Sequence, residues 1–288
     1  MLKHFLKYQS LGNDFVLFDW YKKPNIFIQN TLEEDTWPHF VRYVCNRQFG
    51  VGADGVLILR SSPEASLPEV LIFNADGTQA ETCLNGLRCI AHYLFIRYHF
   101  APSFKIKFGP RIVDCFAVIT DKNHPTQVEI TTNVGRAVYE KPLTISTTVG
   151  EFAGHSVSVG NPHFIVFQST TFDWMKEHGK IIESHPTFPA KTNVEFVWQE
   201  NKKPLHPACT HHYSSAVYER GAGPTLACSS GATAITHTLL TLGKVAPQEK
   251  IELAMPGGTL ISWVDEQEQI ILQASAQLVF SGDLEHYD

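Results

Sequence analysis

At 288 residues, 43% of them apolar, the chain is long enough for two ordinary domains and too hydrophobic for a disordered protein. A net charge of −6 with no basic stripe argues against nucleic acid as a partner, and the lack of any run of 18 apolar residues argues against a membrane span. Small polar molecules are the ligands this composition favours. The N-terminus, MLKHFLKYQSLGND, has neither a long apolar core nor a small-residue cleavage site, so a cytoplasmic setting is expected. Six cysteines (Cys45, Cys83, Cys89, Cys115, Cys209 and Cys228) are too scattered for a disulfide-stapled miniprotein, and no CxxC pair points to structural zinc.

In chain order, residues 4–8 and Phe15–Phe18 read as strands joined by the turn SLGND, where Asn13 either satisfies the turn backbone or reaches a ligand. Residues 33–47 suit a helix, capped by Thr31 or an early acidic residue, with Phe40, Val41, Val44 and Cys45 as its stripe. FGVGADGVLIL lacks the G-x-x-x-x-G-K phosphate-loop pattern and runs into a strand, Val56–Leu59, so its glycines serve a tight turn. A turn at Ser61–Pro68, a strand at Val70–Phe73 and the turn NADG follow. Leu87, Ile90, Ala91, Leu94, Phe95 and Tyr98 then recur at the spacing of one buried helix face. Strands dominate Phe104–Thr120, and the polar turn Asp121–Gln127 is the candidate domain junction.

The second half repeats the plan. Strands are expected near 128–132, 152–158 and 164–167, a helix near 171–183, and a strand at Val194–Trp198. His206, Cys209, His211 and His212 read as a polar surface loop, since no second ligand pair lies nearby to make a metal site. A second helix uses Ala232, Ile235, Leu239 and Leu242 and stops at Gly243. MPGG turns at Met255–Gly258, and Ile270–Gln273 and Leu278–Phe280 close the chain as strands.

Two stretches organise this pattern. NADGTQAETCLNGLRCIAHYL holds Cys83 just before the first helical stripe, and ERGAGPTLACSSGATAITHTL holds Cys228 in the matching place 145 residues on. GNDFVLF and GNPHFIVF form a second echo, 148 residues apart. The chain therefore reads as two related halves, each offering a thiol at a helix start. Aligned peptide dipoles there can pull a thiol from about 8.5 to roughly 3.5–7.5, making a thiolate available near neutral pH. Inverting a carbon centre needs a base on one face and an acid on the other, and a thiolate–thiol pair supplies both. The helix-start N–H groups can take a substrate carboxylate as enolate-like charge develops. No lysine sits in an evident pyridoxal phosphate setting, so the reaction is expected to use no cofactor.

The ordered set GNDF, NADG before the first cysteine, GNPH, TNVEF, ERGAG before the second, and MPGG resembles that of the diaminopimelate epimerases, from Gly12 to about Phe280. The resemblance implies an α+β fold of two pseudo-symmetric lobes, each a β-sheet curled around a central helix. The last strand would rejoin the first lobe, giving 1–121 plus 276–288 and 122–275. It implies interconversion of LL- and meso-diaminopimelate for lysine and peptidoglycan synthesis. Cys83 and Cys228 would be the acid/base thiols, with His163 and Glu219 adjusting their protonation. Asn13, Asn74, Asn161, Asn193 and Arg220 would hold the substrate's polar ends, Glu219 would help at the distal amine, and the main-chain N–H groups of Leu84, Asn85, Ser229 and Ser230 would receive the reacting carboxylate. Glu219 and Arg220 suit this chemically, because a substrate with two amino-acid ends needs an anion and a cation at the distal one. The family carries glycine after each cysteine, where this chain has Leu84 and Ser229. Epimerisation of another amino acid, or a catalytically idle binding role, stays open on that ground, as does homodimerisation.

Overall fold

A computed structural model describes residues 4–22, 36–62, 67–80, 83–200 and 202–285. The chain forms two compact units, Met1–Thr132 with Ser275–Asp288, and Asn133–Ala274. The first boundary falls after Thr132 and not in the polar turn 121–127, because β7 (Val128–Gly135) pairs with β6 (Arg111–Ile119) through Val128–Thr132.

In the first unit the remaining strands are β1 (His4–Ser10), β2 (Asn13–Asp19), β3 (Gly55–Ser61), β4 (Pro68–Asn74), β5 (Ser103–Phe108) and β17 (Gln277–Asp283). They lie in the order β17, β1, β2, β3, β4, β5, β6, β7. The β2/β3 and β4/β5 pairs are parallel and the other five antiparallel. One face packs on α1 (Trp37–Cys45), where Phe40, Val41 and Val44 meet Val16, Phe18, Val56 and Ile58. Thr31, the expected cap, lies outside the described residues. The other face curls around α2 (Leu84–Tyr98), which touches β1, β2, β3, β4, β6 and β17. Residues Leu84–Leu94 are consequently buried all round, so the single apolar stripe expected for this helix understates its enclosure.

The second unit comprises β8 (Val138–Thr147), β9 (Gly150–Ser158), β10 (Pro162–Val166), α3 (Phe172–Glu183), β11 (Asn193–Gln199), β12 (Cys209–Glu219), β13 (Gly223–Thr225), α4 (Ser229–Thr241), β14 (Lys250–Met255), β15 (Gly258–Val264) and β16 (Ile270–Ser275). Its order is β8, β9, β10, β11, β12, β14, β15, β16, with β13 folded back on the end of β12. The parallel pairs are again the third and fifth, β10/β11 and β12/β14. Thus β17, β1, β2, β3, β4, β5, β6 and β7 correspond one for one to the eight strands of the second sheet, and α2 corresponds to α4, which touches β8, β9, β10, β11 and β15. The repeated turns match too: Gly12 and Gly160, which open β2 and β10, both take left-handed φ values, 80° and 88°.

Candidate active site

Cys83 occupies the N-cap of α2, with φ −148° and ψ 89°, and is half-buried. Leu84 and Asn85 open the helix, and their N–H groups lie ahead of its hydrogen-bond ladder, whose first bond runs from Leu87 N to Cys83 O at 3.1 Å. Asn85 Nδ2 donates to Asn13 Oδ1 at 3.2 Å, so an expected substrate-binding side chain meets the residue whose main-chain N–H is expected to receive the carboxylate. Asn13 Nδ2 in turn donates to Asp54 at 2.8 Å. Arg88, fully buried, bonds Asn85 Oδ1 and donates to Ser10 Oγ at 3.0 Å, and Ser10 donates to Ser275 O at 2.7 Å. Burial pulls the Arg88 guanidinium down to about 10. Asn74 is exposed at the end of β4 and donates to Thr78 Oγ1 at 3.0 Å, while the following N–H, of Ala75, donates to Asp54 O at 3.1 Å.

An ion network anchors this end of the sheet. Asp14 meets Lys7 at 2.6 Å and Arg47 at 2.9 Å, and Arg47 also meets Asp54 at 2.8 Å. Burial works to raise the Asp14 carboxyl, but the Arg47 and Lys7 bonds overcome it and hold it at about 2, against an ordinary 3.8. The folded state therefore gains stability at this carboxylate above pH 3.8 and loses it as pH falls towards 2. The shift corresponds to about 2 kcal/mol. Asp14→Asn is expected to flatten the fall in stability over that window, read by urea titration at stepped pH.

Cys228 occupies the N-cap of α4 and is buried. Its Sγ accepts from Gly231 N at 3.3 Å and lies 3.3 Å from Ser230 Oγ. Burial, then the charges of Glu219 and Glu195, push this thiol well above its ordinary range. The downward pull expected of a helix start is thus outweighed at Cys228, which stands as a thiol. Glu219 is also raised, first by burial, and accepts from Thr225 Oγ1 at 2.5 Å. His163 is wholly buried; its Nδ1 lies 2.7 Å from Glu195 Oε1 and its Nε2 3.1 Å from Asn161 Oδ1. Asn193 is committed at both ends, donating to Pro162 O at 3.0 Å and accepting from Arg220 N at 2.9 Å. It fixes the turn that carries Arg220, whose exposed guanidinium donates to Ala190 O at 3.3 Å.

Leu84 and Ser229 stand in ordinary helical backbone, with no positive φ, and both are buried. Neither position needs glycine's conformational freedom. The expected surface loop at His206–His212 is corrected: Cys209–His212 belong to β12, with His212 buried 2.7 Å from Glu252 and His211 3.2 Å from Glu249. Among the described residues no group of histidine, cysteine or acidic side chains is arranged to hold a metal ion. Asp54, Arg88 and Glu195 are site neighbours that motif reading passes over. Their signal is a charged residue inside an otherwise apolar stretch, as in NVEFVW.

A family model described as diaminopimelate epimerase matches residues 5–107 and 155–279. The chain belongs to that family. The diaminopimelate epimerase of Carboxydothermus hydrogenoformans is 36% identical over 97% of this chain and 98% of its own length. That of Prochlorococcus marinus (strain NATL1A) is 32% identical over 99% and 100%. Among solved structures, a phenazine biosynthesis protein from Bacillus anthracis aligns with a TM-score of 0.71 at 13% identity, covering 99% of each chain. A hydroxyproline epimerase from Agrobacterium vitis aligns with a TM-score of 0.69 at 13% identity, covering 99% of this chain and 93% of its own. These two bear on the fold alone, and they agree with the doubled sheet-around-helix plan. As a diaminopimelate epimerase family member the chain is an isomerase, and no helix among its described residues is long and apolar enough to cross a membrane.

Proposed function

We propose that the chain interconverts LL- and meso-diaminopimelate without a cofactor, in the cytoplasm, with Cys83 and Cys228 exchanging the α-proton. The observation that carries this reading is the equivalence of the two thiols. Each sits at the N-cap of the helix its own sheet encloses, in units whose strands pair in the same order. Cys228, held protonated by burial and two carboxylates, enters as the proton donor and Cys83 as the base in one direction; the step leaves Cys83 a thiol and Cys228 a thiolate, and the reverse reaction exchanges the two roles. As the α-proton leaves, negative charge moves onto the substrate carboxylate. The N–H groups of Leu84, Asn85, Ser229 and Ser230, at the positive ends of two helices, stabilise it there. Asn13, Asn74, Asn161 and Arg220 bind the polar ends, Asn193 acting through the turn that carries Arg220, with Glu219 at the distal ammonium and His163 beside the Cys228 thiol. Helical backbone at Leu84 and Ser229 supports this assignment over a pocket rebuilt for another amino acid, because losing the glycines leaves the N–H positions of the helix starts in place.

The test is incubation with LL-diaminopimelate in D₂O under reducing conditions. Deuterium is expected at Cα together with the meso isomer, and a chain that leaves the α-proton untouched would be a binding protein only. Arg220→Ala is expected to raise KM for diaminopimelate by about 10- to 100-fold, the worth of a charge-assisted hydrogen bond of roughly 1.5–3 kcal/mol. A substrate with a single amino-acid end should be affected far less. Equal effects on both would remove Arg220 from the distal clamp.

A further inference from the structure

Glu195 is the point at which the buried polar groups near Cys228 meet. It sits in β11, 1% exposed, between the buried apolar residues Val194 and Phe196. Its Oε1 receives His163 Nδ1 at 2.7 Å, while its Oε2 is buried with no hydrogen-bond partner among the described residues. A carboxylate oxygen left so costs stability, and a residue kept only to brace the fold would be better bonded. The first turn of α4 is opened to admit it: a Cβ at Gly231 would lie 2.8 Å from Oε1. The same glycine's N–H donates to Cys228 Sγ. The carboxylate thus stands between the imidazole of His163 and the helix start that carries the thiol.

An ionised carboxylate only accepts, so the His163 nitrogen facing it carries the proton. That leaves Nε2 as an acceptor towards Asn161, on the turn ahead of β10, whose amide then meets it through its N–H₂ end. We propose that Glu195 is a positioning residue for Cys228: it fixes His163 with Nδ1 protonated and Nε2 turned to Asn161, and so orders the polar shell in which that thiol gives up and regains its proton. The charge of Glu195 also contributes, after burial and Glu219, to keeping Cys228 protonated. This inference rests on the thiol acid/base reading above, and its test separates the two.

Glu195→Gln keeps the shape but can present an amide N–H₂ to His163. Loss of an orienting carboxylate from such an arrangement lowers kcat by about 10²- to 10⁴-fold. KM for diaminopimelate is expected to change far less than kcat, because only one binding side chain, Asn161, is reached, and that through His163. Glu195→Asp, which retains the charge, is expected to restore part of the rate. Independently of any variant's folding, ¹⁵N NMR of the wild-type protein reports the imidazole directly, with His163 assigned by its loss in His163→Gln. The expected signature is a protonated Nδ1. A bare Nδ1 in the wild-type protein, a Glu195→Gln variant within threefold of the wild-type kcat, or an aspartate variant no faster than the glutamine one would each overturn the proposal. A wild-type protein that exchanges no α-proton would overturn the thiol reading and this proposal with it, while leaving the His163 signal as described.

Discussion

Cys228→Ala is expected to lower kcat for epimerisation by about 10³- to 10⁴-fold, and Cys83→Ala by a similar factor, with little change in thermal midpoint. Alanine nearly fills the space of a thiol, so the fold loses little, whereas the reaction loses its only acid or base on that side. The two losses should differ in kind. Cys228 lies among Glu219, Glu195 and Ser230, and its burial and the two carboxylates favour the protonated form. Removing it deletes the donor, so exchange of the substrate's α-proton with D₂O can persist while inversion stops. Without Cys83, the base of this reading, exchange starting from the isomer it serves should stop as well. Mass spectrometry for deuterium and chiral chromatography for inversion, run on each isomer, distinguish these outcomes. A cysteine variant that inverts at more than a tenth of the wild-type rate would remove that residue from the mechanism.

The largest effect on stability is expected from Arg88→Ala. This side chain is the largest that is fully buried, at the heart of the helix that the first sheet encloses. Its removal leaves a cavity, and it strips Asn85 Oδ1 and Ser10 Oγ of a bond each. A loss of about 3–5 kcal/mol follows from cavity and unpaired polar groups together. At this chain length that is a fall of roughly 10 °C or more in Tm, measured by calorimetry. Arg88→Met fills most of the volume with apolar atoms and is expected to recover part of the stability. It is not expected to recover the rate, because Asn85, which bonds Asn13, loses its bond from the Arg88 guanidinium. A methionine variant with wild-type kcat would show that Asn85 needs no such support.

The halves and their thiols were legible in the sequence because both depend on short-range signals. A cysteine before an apolar 3.6-residue stripe, set behind a glycine turn, marks a helix start in each half. The repeat then makes the two positions equivalent before any contact is known. Long-range enclosure was not legible. Periodicity gave α2 one buried face, but contacts with five strands and the returning β17 bury Leu84–Leu94 all round. The edge strand β8 (VYEKPLTIST) was missed because most of its side chains are exposed and its alternation is weak. Most of β12 was missed because its polar residues are buried yet bonded, as His212 is to Glu252. The supporting groups of the site share this difficulty. Asp54 is defined by its bond to Asn13, and Glu195 by its bond to His163, across 41 and 32 residues of sequence. Nothing in either local stretch announces the partner.

The return of β17 to β1 sets an order on synthesis. Residues 133–274 form a continuous segment, whereas β1, made before that segment, has its outer neighbour encoded after it. On the ribosome the edge of β1 waits unpaired until Gln277–Asp283 emerge, so the unit translated first is the one finished last. Phe280 on that strand packs edge-on against Phe5, so this unit closes by joining segments encoded before and after residues 133–274.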